Sequence, residues 1–283
     1  MEIATIASDR TAPEAPSDTD SLIKRHRIST RLWHWTNVIA VFMLIGSGLT
    51  IFNAHPRLYW GEYGANYDPA WLEIDDEDGR GYVRVGSLDI TTTGVLGVFE
   101  KDGDTRTRAF PHWVTIPANY SLAEGRRYHF LGAWIFGLAG LAYVIVSLFN
   151  RHIKRDLIPS REEWRWSNIR HDIVQHLKFN FEHSPLEKYN FLQKLSYGGI
   201  VLVVLPVIVL TGLTMSPNMN AAWPWLLDIF GGRQSARSFH FIAAFLLIGF
   251  IALHVGLVLL SGPWNQIRSM VTGRFRYPKE TGT

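Results

Sequence analysis

The sequence predicts an all-α integral membrane protein, a four-helix transmembrane bundle with a small extracytoplasmic insert between its first and second helices. Three observations predict this. Four stretches reach the roughly 20 mostly apolar residues that a helix needs to cross a bilayer. Lys and Arg are distributed unevenly between the segments that join those stretches. Finally, 47% of the residues are hydrophobic and 11 are Trp, yet the mean hydropathy is only +0.03. Lipid-immersed helices must therefore be balanced by sizeable polar parts.

Residues 1–25 open with MEIATIASDRTAPEAPSDTDS, a polar run rich in Pro, Ser and Thr with no apolar core. It reads as a disordered cytoplasmic tail, not a signal peptide. The membrane domain covers 26–276, and 277–283 form a short C-terminal tail. Span one is LWHWTNVIAVFMLIGSGLTIF, residues 32–52. The insert that follows, 54–125, is too long for a simple connection. Its stretch GYVRVGSLDITTTGVLGVF sets β-branched residues between glycines and predicts two or three short strands. Span two covers 128–149. In the loop 150–190, Ser160 and Glu163 have capping-box spacing, which predicts a helix over 161–179 lying at the membrane interface. Span three, 192–215, contains Pro206, which a lipid-embedded helix tolerates where neighbours satisfy the freed carbonyl. Span four covers 237–260.

Charge orients these spans. The N-terminal tail, the loop as far as Lys194 and the C-terminus hold 18 Lys or Arg, whereas the insert together with Arg233 holds 7. The insert also carries the acidic run Glu73, Asp75, Asp76, Glu77 and Asp78. Both termini are accordingly expected in the cytoplasm and the insert outside, in a multi-pass protein of a bacterial inner membrane. The net charge of +3 and pI near 9.1 do not call for a nucleic-acid partner, because the basic residues flank apolar segments, where they set topology.

Eleven histidines are present, and topology sorts them. Span four begins RSFHFIAAFLLIGFIALHV, with His240 and His254 fourteen positions apart. At 1.5 Å per residue they lie about 21 Å apart along the helix and within roughly 40° of one face. Each has a partner at matching depth: His129 at the start of span two with His240 outside, and His34 in the first turn of span one with His254 inside. A b-type heme that only transfers electrons takes two such axial imidazoles from opposed helices. Two non-covalent hemes stacked across the bilayer account for the spacing, whereas a single interhelical hydrogen-bonding role accounts for each histidine only in isolation. The absence of cysteine excludes disulfides, thiolate catalysis, cysteine-ligated clusters and covalent heme attachment. A di-metal site is disfavoured by the separation of the two layers and by the lack of carboxylates beside the histidines. The remaining histidines, in the tail, insert and loop, are not assigned to a cofactor.

Two further residue classes fit a heme, each with an ordinary alternative. Gly46, Gly48, Gly132, Gly137, Gly140, Gly198 and Gly199 allow close approach of a porphyrin or equally of another helix. Arg126, Arg127 and Arg237 lie within about a turn of the outer histidines, as heme propionate partners or as snorkelling anchors.

Several motifs carry a family resemblance. Arg31-Leu32-Trp33-His34-Trp35, Gly125-Arg126-Arg127-Tyr128-His129, and His240 with His254 resemble the di-heme cytochrome b subunits of membrane-bound formate dehydrogenases and nickel-iron hydrogenases. The segment GLTMSPNMNAAWPWLLDIFGGRQSARSFHF, residues 212–241, is most similar to the thiosulfate-reductase-type branch, and the likeness extends over about 24–276. The resemblance implies His129 and His240 as ligands of an outer heme and His34 and His254 of an inner one, in agreement with the pairing by depth. It also implies a subunit that anchors a catalytic partner and exchanges electrons between that partner and quinone or quinol. In the closer branch the expected partner is an extracytoplasmic molybdopterin oxidoreductase. The long insert departs from the short hairpins of hydrogenase cytochromes and serves either as a docking surface or as a lid over the outer heme. Quinone is expected beside the inner heme, at the depth of Trp33, Trp35 and Lys194, which suits interfacial anchors equally well.

The expected protein is therefore an electron-transfer subunit with no catalytic residues of its own. Two rivals differ in class. One is a self-contained enzyme that oxidises superoxide or reduces an external acceptor directly at the outer heme, favoured by an open outer heme edge. The other is a heme-free transporter whose histidines relay protons. A homodimer is compatible with so small a bundle, although no interface motif stands out beyond glycines that have other uses.

Overall fold

The computed structural model describes residues 22–178 and 189–276. Most of the tail expected over 1–25, the end of the loop and the C-terminal tail lie outside the described residues. Four helices are long and apolar enough to cross a membrane. They are α1 (Ile28–Phe52), α2 (Leu122–Phe149), the third span, and α8 (Arg233–Leu260). The third span is composite: α4 (Phe191–Gly199), a π-helical turn (Ile200–Val204) and α5 (Leu205–Met215), and the short helices α6 (Pro217–Ala222) and α7 (Trp225–Ile229) lead from it to α8. Pro206 stands in the first turn of α5. Widening the preceding turn relieves the clash between its ring and the carbonyl four residues back.

The second and fourth spans start before their apolar stretches because a polar first turn is satisfied by capping contacts. Ser121 accepts from the backbone N–H of Glu124 at 3.3 Å and starts α2 six residues before Tyr128. At α8, the N–H groups of Gln234 and Ser235 both donate to the Gly61 carbonyl in the insert, at 3.1 Å. Close contact runs between α1 and α2 and between α5 and α8, and is sparse between these two pairs. Several glycines set that packing. A Cβ on Gly46 would lie 2.6 Å from the Ile116 side chain, and one on Gly132 would lie 3.0 Å from Leu44 and Met43. Gly198 faces the Leu157 carbonyl, while Gly137, Gly140 and Gly199 face open space.

The insert contains more strand than its sequence suggests. The stretch singled out above does give three strands, β4 (Arg80–Val85), β5 (Leu88–Thr91) and β6 (Gly97–Lys101). To these are added β2 (Arg57–Leu58), β3 (Leu72–Glu77) and β7 (Asp104–Arg108). They form an antiparallel sheet ordered β2-β3-β4-β5 and a β6-β7 hairpin. The register places Glu73 opposite Arg84 and Glu77 opposite Arg80. Salt bridges Arg57–Glu73 at 2.6 Å and Arg84–Glu73 at 3.3 Å neutralise part of the acidic run. Burial and the hydrogen bond to Glu73 push the Tyr82 hydroxyl up to about 12. The insert is seated on the helix ends by a core of Phe52, Leu58, Ile74, Ala109 and Phe110, with Phe241 of α8 packed against it.

On the opposite face, β1 (Leu22–Lys24) pairs antiparallel with β8 (Arg274–Arg276). Residues 22–24, counted above with the tail, are thus tied down beside the C-terminal end, as an even number of spans requires. The surface helix is shorter than its sequence signal: α3 covers Trp166–Leu177. Ser160 and Glu163 do exchange both capping-box bonds, at 2.7 and 3.4 Å, but close a turn that begins six residues ahead of the helix. The reason is tertiary, since Glu163 also accepts from Lys194 at 2.7 Å and Trp164 packs edge-on against Phe191. Burial opposes ionisation of Glu163, but Lys194 and Ser160 outweigh it and hold the carboxyl below its ordinary 4.5. The stabilisation is present above that value and is lost as pH falls through the depressed one. Glu163→Gln is expected to cost about 1–2 kcal/mol at neutral pH, and less in acid, in denaturant titrations followed by Trp fluorescence.

Candidate functional site

The site is built where α2 and α8 face one another between the two helix pairs. The rings of His129 and His240 approach to 6.2 Å between centroids, inclined by 64°. Each is held from behind by a hydroxyl on the neighbouring helix. Ser47 of α1 lies 3.1 Å from His129 Nδ1, and Thr211 of α5 lies 3.0 Å from His240 Nδ1, with the Ile208 carbonyl at 3.1 Å. Both hydroxyls are fully buried. Glycines leave room for the rings: a Cβ on Gly48 would meet His129, and one on Gly212 would meet His240, each at 3.4 Å. Nδ1 of each ring is thereby engaged and Nε2 is left for another partner.

The second pair lies toward the terminus side. His34 and His254 are close enough to interact electrostatically. His34 Nδ1 is buried without a hydrogen-bond partner among the described residues. His254 stacks on Phe250 at 5.8 Å and meets the edge of Tyr197 at 6.3 Å. Trp33, next to His34, stacks on Tyr143 at 4.2 Å, and Trp35 donates to the Met270 carbonyl at 3.2 Å.

These features match those of a known family. A family model described as prokaryotic cytochrome b561 matches residues 25–273. The chain belongs to that family. It is thus a membrane cytochrome b561-type electron-transfer protein, and the family implies b-type heme. A chain of Azospira oryzae, named as a protein-methionine-sulfoxide reductase subunit, is 25% identical over 230 residues, covering 81% of this cytochrome and 87% of its own length. Two chains named as Ni/Fe-hydrogenase B-type cytochrome subunits are also similar. The one from Azotobacter chroococcum is 22% identical over 146 residues, 48% of this chain and 61% of that one. The one from Azotobacter vinelandii is 21% identical over 150 residues, 50% of this chain and 62% of that one. The cytochrome therefore spans less than two thirds of either hydrogenase relative.

The residues fit the implied group. Two imidazoles bonded to one metal at about 2 Å each bring their ring centres to about 6 Å. The observed separation of His129 and His240 is 6.2 Å. At the other layer, His34 Nδ1 is buried with no hydrogen-bond partner among the described residues. Among the described residues, no cluster of three or more His, Asp or Glu offers an all-protein metal site instead.

The three arginines divide. Arg126 and Arg127 are exposed on the first turns of α2. Arg237 points its guanidinium into the insert, donating to the Arg57 carbonyl at 3.1 Å and to the His55 carbonyl. It lies beside Ser238, which donates to the Tyr59 carbonyl at 2.6 Å and accepts from Trp71 Nε1 at 2.9 Å. Lys194, placed by sequence at quinone depth, is engaged with Glu163. Sequence reading missed Ser47, Thr211 and Gly212. The signal was the near-repeat Ser47-Gly48-Leu49-Thr50 and Thr211-Gly212-Leu213-Thr214 in spans one and three.

Proposed function

We propose that this cytochrome carries two b hemes and passes single electrons across the bilayer between the quinone pool and an extracytoplasmic redox partner. In this reading His129 and His240 hold the outer heme, and His34 and His254 hold the inner one. The observation that carries the reading is the facing of His129 and His240 at axial-ligand separation, with each Nδ1 occupied. A bound b heme supplies reversible one-electron exchange. The chain supplies opposed imidazoles, a low-dielectric surround and cations near the insert side. Arg126, Arg127 and Arg237 serve the propionates, Arg237 with donors beyond those given to the insert carbonyls.

The uneven distribution of Lys and Arg supports cytoplasmic termini. A partner enzyme is supported by the relatives, which are by name subunits of redox enzymes. A molybdopterin oxidoreductase is the partner class that the sequence motifs suggest. The insert, seated on the ends of α1 and α8, favours electron exchange with a docked subunit over direct oxidation of superoxide or reduction of a small acceptor at an open heme edge. Quinone binds near the inner heme, at the level of Trp33, Trp35 and Lys194.

Stopped-flow mixing of oxidised protein with decylubiquinol tests the electron route. Wild type is expected to show reduction of both hemes. His254→Ala is expected to lose most of the quinol-driven reduction of the remaining heme while dithionite still reduces it. Equal rates in the two proteins would overturn the assignment of the quinone to the inner side.

A further inference from the structure

The two outer histidines are gripped by the same device used twice. In α1, the Ser47 hydroxyl donates to the Met43 carbonyl at 2.6 Å; in α5, the Thr211 hydroxyl donates to the Val207 carbonyl at 2.5 Å. In both cases the acceptor is four residues back on the same helix. Buried hydroxyls at this depth have no water to use, so their single proton is committed to the helix and their oxygen lone pairs can only accept. The neighbouring His129 and His240 Nδ1 atoms must then carry the proton, shared at His240 between Thr211 and the Ile208 carbonyl at 3.1 Å, which leaves Nε2 as the ligating nitrogen. Gly48 and Gly212, next in sequence to the two hydroxyls, let the rings lie against the helix backbone.

Among the described residues, the inner layer shows no counterpart. His34 Nδ1 lacks a hydrogen bond among the described residues, and His254 contacts aromatic rings. An imidazole that donates Nδ1–H to an acceptor is a more basic ligand and favours the oxidised iron. We infer that Ser47 and Thr211 are positioning residues that fix the Nε2-ligating tautomer of the outer pair and lower the potential of the outer heme alone. This rests on the two-heme reading above. The asymmetry lies in the chain itself: two helix-anchored hydroxyls hold the outer layer, and His34 Nδ1 has no such partner among the described residues.

Redox titration of the purified protein, followed in the heme absorbance and by ferric low-spin EPR, tests the inference. The variants are Ser47→Ala, Thr211→Val and Thr211→Ser, with His240→Ala identifying the outer heme. Ser47→Ala and Thr211→Val are expected to shift the outer midpoint potential upward and change its EPR signal, leaving the inner heme in place. Thr211→Ser keeps the hydroxyl and is expected to behave as wild type. Should Thr211→Val lose the outer heme while Thr211→Ser keeps it, the positioning role is supported. Loss of that heme from both, an unmoved outer potential with both hemes present, or equal shifts of both potentials would overturn the inference. Wild-type protein without two hemes would instead defeat the reading on which it rests.

Discussion

His240→Ala is expected to purify with one b heme in place of two, and His129→Ala is expected to lose the same heme. The two rings face each other at 6.2 Å, so, in the proposed assignment, removing either takes away one of the two imidazoles that would hold the outer heme. His254 lies about 21 Å further along α8 and its layer is spared. The lost cofactor also removes its share of binding free energy from the folded state, so both variants are expected to melt earlier than wild type. Heme quantification and low-temperature difference spectra check this, with matching residual spectra as the decisive feature. Different residual spectra in the two variants would show that His129 and His240 do not share an iron.

Arg237→Leu is expected to release the insert from the bundle. The guanidinium donates to the carbonyls of His55 and Arg57, where the chain leaves α1 and enters β2, and lies 5.7 Å over the Phe52 ring. Hydrogen bonds from a charged donor contribute about 1.5–3 kcal/mol each, and their loss leaves partly buried carbonyls unpaired. A loss of about 3 kcal/mol or more is therefore expected, with Arg237→Lys recovering part of it because ammonium cannot reproduce the fork geometry. Limited proteolysis of the insert and thermal melts read the effect. An insert as protease-resistant as wild type in Arg237→Leu would assign its docking to the apolar core and the Trp71–Ser238 bond.

The spans were legible because about 20 apolar residues have few alternatives to a bilayer, and the histidine layers because helix rise converts sequence position into depth. The structure brings the rings of His129 and His240 to 6.2 Å and leaves His34 and His254 close enough to interact electrostatically. Strands β3 and β7 were hidden by their composition. Sequence LEIDDE reads as a charged linker until Arg57 and Arg84 are seen across from Glu73, and DTRTR has no buried face at all. The early box at Ser160 failed to start a helix because Lys194, distant in sequence, claimed Glu163. Ser47 and Thr211 escaped notice because a small hydroxyl in a span is ordinarily a packing residue. Only the neighbouring helix shows which imidazole each one holds.

The most direct test of the account is the b-heme content of the wild-type protein, measured as a dithionite-reduced minus oxidised spectrum with pyridine hemochrome quantification against chain concentration. Two non-covalent b hemes per chain are predicted. One heme or none in protein prepared with ample heme supply would contradict the transmembrane electron path and return the second pair of histidines, or all four, to packing or proton transfer.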